Sequence, residues 1–156
     1  MTLCTVLKNP NDQLRTKAKK VPVAQIKSPD TQQLIDDLIE TMIVQNGVGI
    51  AATQIGSDKR VIIVDVHGIM PLVNPEIVSK SLSKIEFEEG CLSVPGVTGI
   101  VKRHRSIKLK AHDRNGKPLT IKAKGLLSIV LQHETDHLDG ILFIDKVIRY
   151  TNPPRM

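Results

Sequence analysis

Tryptophan is missing from this chain, and its 156 residues include one tyrosine and two phenylalanines. Without aromatic side chains to lay against bases there is no stacking platform, which argues against a dedicated nucleic-acid site. Cysteine is nearly as scarce. Cys4 and Cys91 stand far apart and form no disulfide framework, which fits a reducing compartment. No apolar run approaches the roughly 18 residues of a membrane span. The start, Met1-Thr2-Leu3-Cys4, lacks the basic, apolar and small-residue zones of a signal peptide, so the expected location is the cytoplasm. What is present, 40% hydrophobic and 24% charged residues without repeats, is ordinary for one globular domain burying roughly two-thirds of its unfolded surface. The expectation is a monomeric single domain over 1–156 with a short C-terminal tail from about 147. The net charge of +6 permits contact with an acidic partner. Its clusters, Lys17-Lys19-Lys20 and Lys102-Arg103-His104-Arg105, read first as solvated faces.

The strongest local signal is Gln132-His133-Glu134-Thr135-Asp136-His137. Two imidazoles four residues apart with a glutamate between them form an HExxH motif, which aims one helix face at a single cation. Leu126, Ile129, Val130, His133 and His137 recur at helical spacing, so both histidines continue an apolar stripe. Buried imidazoles need partners, and a shared cation supplies one; two unrelated core histidines are the plainer alternative. Glu134 is offset from both histidines and suits proton transfer better than ligation.

A catalytic site of this kind takes a third protein ligand and leaves one position open. Phe143 occupies the place where an extended HExxHxxGxxH motif has its third histidine, and it cannot ligate. Only Asp139 and Asp145 follow as carboxylates, with little chain left for another helix. The third donor is therefore expected upstream. Cys91, in Glu89-Gly90-Cys91-Leu92-Ser93, is the candidate: a thiolate binds Zn or Fe strongly, and Gly90 permits close approach. Most free cysteines are simply small buried hydrophobes, which is how Cys4, between Leu3 and Val6, is read. A third stretch, Gly47-Val48-Gly49-Ile50-Ala51-Ala52-Thr53-Gln54, is small enough for backbone to lie against another strand. Gln54 brings an amide that either donates to a developing oxyanion or ties loops together.

Elsewhere, Ser28-Pro29 predicts a capped helix start, followed by helical recurrence of Leu34, Ile35, Leu38, Ile39, Met42 and Ile43 and a stop at Asn46-Gly47. Short strands are expected over 61–66, 72–78 and 82–87, interrupted by Pro75 and the serines. Alternation at Ile107, Leu109 and Ala111, the turn Asp113-Arg114-Asn115-Gly116 and the return through Leu119, Ile121 and Ala123 predict a hairpin. The HExxH helix should run from about Gly125 to near Gly140. The expected fold class is α+β, with antiparallel strands around a central metal-bearing HExxH helix.

The glycine-alanine stretch ending in Gln54, the segment Glu89-Gly90-Cys91-Leu92-Ser93 and the HExxH segment occur in the order of the three signature motifs of the peptide deformylase family, which the chain resembles over about 10–146. The resemblance implies a metal-dependent hydrolase that removes the N-formyl group from the N-terminal methionine of newly made polypeptides. It implies one divalent ion per chain on Cys91, His133 and His137, with Fe(II) native and Zn, Ni or Co found in purified protein. It implies catalytic roles for Glu134, Gln54 and the Leu92 backbone N–H. Substrate would pair strand-fashion along Val48-Gly49-Ile50, with its methionine among Phe87, Leu126, Ile129 and Val130. Glu89 is the candidate to orient a metal-bound imidazole, and Asp136 the candidate partner of Arg103. Thr98-Gly99 stands where some relatives carry a substrate-contacting arginine. The short run after Gly140 leaves ribosome contact unsupported, since some relatives dock there through a long helix. Two other readings stay open: an HExxH metallopeptidase, which an assay of formyl-peptide against casein separates, and a non-catalytic, metal-stabilised binding module.

Overall fold

The structure is a computed structural model and describes residues 2–155. In chain order its main elements are α1 (Pro29–Val44), β1 (Gly49–Ala51), β2 (Val61–Asp65), β3 (Ile69–Lys80), β4 (Lys84–Cys91), β5 (Val94–His104), β6 (Ser106–His112), β7 (Pro118–Lys124), α2 (Leu126–Leu138) and β8 (Val147–Asn152). The strands form two antiparallel sheets, one ordered β1-β2-β3-β6-β7 and the other β4-β5-β8, so the class is α+β as expected.

β2 shows why the sheet sits between the two helices. Its Val-Ile-Ile-Val run is fully buried because both faces are covered. Val61 and Ile63 share one apolar cluster with Ile35, Leu38 and Met42 of α1, while Ile62 and Val64 share another with Val130, Leu131 and Leu138 of α2. Each such side chain contributes about 1.5–3 kcal/mol by leaving water. A third cluster, with Leu14, Val97, Val101 and Phe143, lies against the smaller sheet.

The helix signals hold at the α1 start, where the Ser28 side chain accepts the Thr31 N–H and Pro29 opens the first turn. At its end Asn46, not Gly47, takes the left-handed conformation (φ 54°), which asparagine tolerates through local hydrogen bonding. α2 ends two residues before Gly140, which has φ 73° and fills the expected C′ role. The hairpin forms as read, with Ile107 opposite Ala123 and Leu109 opposite Ile121.

Three strand expectations need correction. β3 runs through Pro75, because a bulge between Val73 and Glu76 removes the proline from the ladder and Asn74 exchanges side-chain hydrogen bonds with both backbone groups of Val21. β5 was not expected, since Arg103 occupies an inward position in its alternation of Val97, Gly99 and Val101 and breaks the apolar pattern. The residues from 147 are not a loose tail: Val147–Asn152 is strand β8, seated on β5 where Gly99 leaves no Cβ to collide with Val147. Within the second basic cluster, Lys102 and Arg105 are exposed but Arg103 is buried, so that run is not uniformly a solvated face.

Candidate active site

α2 carries His133 and His137 one turn apart, and their Nε2 atoms approach to 3.2 Å. Cys91, at the end of β4, brings its Sγ to 3.3 Å from His137 Nε2. The three donor atoms lie within 4.8 Å of one another. A tetrahedral centre with metal–N bonds near 2.0–2.1 Å and a metal–S bond near 2.3 Å needs donor–donor edges of roughly 3.3–3.6 Å. The thiolate and imidazole set therefore fits one divalent cation in chemistry and in spacing. Phe143, at the position where a third histidine was sought, instead stacks on His133, with ring centroids 6.2 Å apart. Cys4 lies away from this cluster, half-buried, with its Sγ 3.6 Å from the Thr2 carbonyl oxygen.

The two histidines differ in their support. Glu89 on β4 accepts from His133 Nδ1 at 2.7 Å, which turns Nε2 toward the cluster. The same carboxylate takes a two-pronged grip from Arg103 Nε and Nη2 at 2.7 and 2.9 Å. Arg103 Nη1 then donates to Asp136 at 2.6 Å, and Lys146 Nζ closes the chain on Asp136 at 2.9 Å. Burial works to raise the Glu89 pKa, but the Arg103 and His133 hydrogen bonds win and hold it at about 2. Both expected contacts, Glu89 with an imidazole and Asp136 with Arg103, are thus made. Lys146 was not foreseen; nothing in its sequence spacing ties it to Asp136. His137 Nδ1 is buried without a partner among the described residues. Gln132 fastens α2 to β5, donating to the His104 carbonyl at 2.9 Å and accepting the His104 N–H at 3.0 Å.

Burial lowers His133, yet its hydrogen bonds to Cys91 and Glu89 outweigh that and push it up to about 10. Burial, then the charge on His133, drives His137 well below its usual value. Two imidazole nitrogens this close cannot both carry a proton toward each other, which suits the pair to sharing one cation.

Glu134 is 4% exposed, its Oε2 has no hydrogen-bond partner, and burial raises its pKa to about 7. It lies under Gly49, where an added Cβ would stand 2.5 Å from Glu134 Oε1, so the glycine creates room for the carboxylate. Gln54, in the 3-10 turn Ala52–Ile55, is held at both ends. Its Oε1 accepts the Ala51 N–H at 2.9 Å, while Nε2 donates to Ser93 Oγ at 3.1 Å and lies 3.7 Å from Cys91 Sγ. It therefore does tie loops together, and it keeps its amide beside the cluster. Ser93 was missed as its partner, although its place two residues after Cys91 was a usable signal. Leu92 occupies the turn after Cys91, its carbonyl accepting from Lys8 Nζ at 2.7 Å.

All of this opens on a cleft of about 560 Å³, whose walls include Phe87, Leu126, Ile129 and Val130 with Val48 and Gly49. Ile50 is the exception among the expected substrate residues. Its side chain is fully buried in the cluster around α1, leaving only its backbone in β1. β1 is the edge strand of its sheet, paired on one side with β2. A site with these capacities can activate water, hold one apolar side chain and receive an extended chain. They define a hydrolase of peptide-like amides built on a cluster able to hold a metal.

The sequence profile of the polypeptide deformylases matches residues 3–152, and the chain belongs to that family. It is 49% identical over 144 residues to a peptide deformylase of Acetivibrio thermocellus, covering 92% of this chain and 82% of that protein. A peptide deformylase of Xylella fastidiosa strain M12 is 46% identical over 149 residues, covering 93% and 87%. An actinonin-bound class I type b peptide deformylase from Acinetobacter baumannii superposes with a TM-score of 0.90 at 37% identity, covering 94% of this chain and 99% of that one. The match reaches β8, beyond the segment that the motifs alone delimited. The metallopeptidase and binding-module readings fall with it.

Proposed function

We propose that Cys91, His133 and His137 hold one divalent metal ion and that Glu134 is the acid–base group of the family's reaction, removal of the N-formyl group from the N-terminal methionine of newly made polypeptides with release of formate. The observation that carries this reading is the buried, partnerless Glu134 carboxylate beside a three-donor cluster at the wall of an apolar cleft. When bound, the cation supplies Lewis acidity and a water nucleophile near neutral pH. Glu134 takes the proton of the attacking water and returns it to the leaving amine; a pKa near 7 suits both tasks. The formyl oxygen gains negative charge as its carbon becomes tetrahedral, and the Gln54 side-chain N–H and the Leu92 backbone N–H donate to it. Gln54 is already fixed by Ala51 and Ser93, so little reorganisation accompanies the step. The peptide lies along the backbone of Val48, Gly49 and Ile50 as an added strand, and its methionine enters between Phe87, Leu126, Ile129 and Val130. Glu89 orients His133, and Arg103 with Asp136 steadies Glu89. His133, Glu134 and His137 lie on α2, which we read as the metal-bearing HExxH helix at the centre of a single domain acting as a monomer in the cytoplasm. No helix among the described residues is long and apolar enough to cross a membrane.

Glu134→Ala tests the assignment. The variant retains one metal per chain and loses about 10²–10⁴-fold in formate release. Loss of metal, or near-normal turnover, would show that Glu134 does something else. For the ion we read Fe(II) as native, with Zn, Ni and Co as substitutes, because this donor set binds Zn tightly as well. Reconstituted without oxygen, the Fe(II) form should outpace the Zn form and decay in air as iron and the Cys91 thiolate oxidise. Equal rates and indifference to air would make the ion zinc.

A further inference from the structure

The hairpin of β6 and β7 turns one face to the core, with Ile107, Leu109, Ala111 and Ala123 buried. Its other face is built from lysine. Lys108 stands directly opposite Lys122, and Lys124 directly opposite Ser106. Side chains at paired positions are about 5 Å apart at Cβ, and like charges placed so are destabilising. One pair further along the ladder, Lys110 has Glu76 of β3 opposite it, whereas Lys108 has only Ser79. Lys80 joins Lys108, Lys122 and Lys124 around an open cleft of about 530 Å³ that also receives Ser79, Ser81 and Ser106 and no acidic residue. None of these four lysines has an ion-pair partner among the described residues. The sheet thus carries an uncompensated like-charge pair where alternation needs only any polar residue.

We propose that this face binds the sugar–phosphate backbone of a structured RNA. Lysines serve as point-charge partners for phosphate, and the Ser79 and Ser106 hydroxyls beside them match a backbone that presents 2′-hydroxyls as well, whereas Ser81 Oγ is engaged within the sheet by the Ser83 carbonyl and the Ser106 N–H. The lack of aromatics excludes base stacking but not backbone contact. A membrane surface is the poorer fit: anionic lipid attracts lysines at only about 1 kcal/mol each and stable attachment takes a second, apolar signal, whereas the apolar residues of this cleft, Ile107 and Ala123, belong to the core. β7 lies at the edge of the sheet opposite β1, so the surface is separate from the catalytic cleft.

The test is binding of the metal-loaded protein to an RNA duplex of about 16 base pairs across a salt series, beside a DNA duplex of the same sequence and phosphatidylserine vesicles. RNA binding should weaken linearly on a log–log salt plot, and the triple variant K108A/K122A/K124A should lose about tenfold or more in affinity with a slope shallower by roughly 2–3. Deformylation and melting temperature should not fall. Lys122→Glu places opposite charges across the strands, so it should remain folded and still weaken RNA binding. Lys110→Ala should matter least. Unchanged RNA affinity in both Lys122 variants would overturn the proposal, as would equal binding to DNA or binding to vesicles alone.

Discussion

His133 and His137 sit one turn apart on the same helix, yet their surroundings are opposites. Behind His133 runs a continuous chain of charge, through Glu89 and Arg103 to Asp136 and Lys146, with contacts of 2.6 to 2.9 Å. Behind His137 and at Glu134 burial comes without such a chain: His137 Nδ1 and Glu134 Oε2 have no partner among the described residues. Buried charge that is fully paired holds geometry, because either member alone would be strongly penalised. Buried polar atoms left unpaired are where a ligand, a proton or a substrate has work to do. On the function proposed above, the network positions the site and the unpaired groups carry its chemistry.

The hardest blow to the reacting side of the site is Cys91→Ala, which should leave metal analysis near zero and abolish formate release, while Cys4→Ala leaves metal content unchanged. The reverse result would move the third donor to the amino-terminal segment. Next is Gln54→Leu, which keeps the bulk and removes the donor. A fall of about 10²–10³ in kcat with metal retained is expected. A change confined to KM would make Gln54 a tie between loops and nothing more.

The paired side should respond in stability first. Arg103→Met takes the guanidinium from buried Glu89 and leaves half-buried Asp136 with Lys146 alone, and breaking a buried pair in this way typically costs about 3–5 kcal/mol in urea unfolding. Rescue by lysine should be partial, because a single ammonium cannot reproduce the two-pronged grip. The sign of the acid response follows from Glu89, whose folded pKa of about 2 lies below the ordinary 4.5. Its contribution is present in full above about 4.5 and disappears as pH falls toward 2. Unfolding midpoints should drop across that window in the parent and drop less in Arg103→Met. If Arg103→Met instead kept its stability and lost only turnover, the division between the two sides would be wrong.

Much was legible in the chain because it is local. The caps at Ser28 and Gly140, the β6–β7 turn and the helical stripe through His133 and His137 each depend on neighbours within a few residues. Asp136 and Arg103 were paired in advance because two opposite charges near a motif are few enough to match. β5 was hidden for a physical reason: its inward arginine is acceptable only because Glu89 and Asp136 are there to meet it, and both come from elsewhere in the chain. Pro75 in β3 depends likewise on Asn74 reaching Val21.

The helix face shared by His133, Glu134 and His137 and the two helices were legible in residue order, since spacing decides what one helix face or one turn can present; Cys91 stood out only as the upstream thiol best placed to join them. The tertiary structure decided what those groups meet. It closed Cys91 onto His137 across the interval between β4 and α2, set Gly49 over Glu134 and tied Gln54 to Ser93. It also turned the residues after 147 into a strand and left Lys108 facing Lys122. Contacts between distant segments depend on which apolar faces are buried together, and no local pattern encodes that pairing.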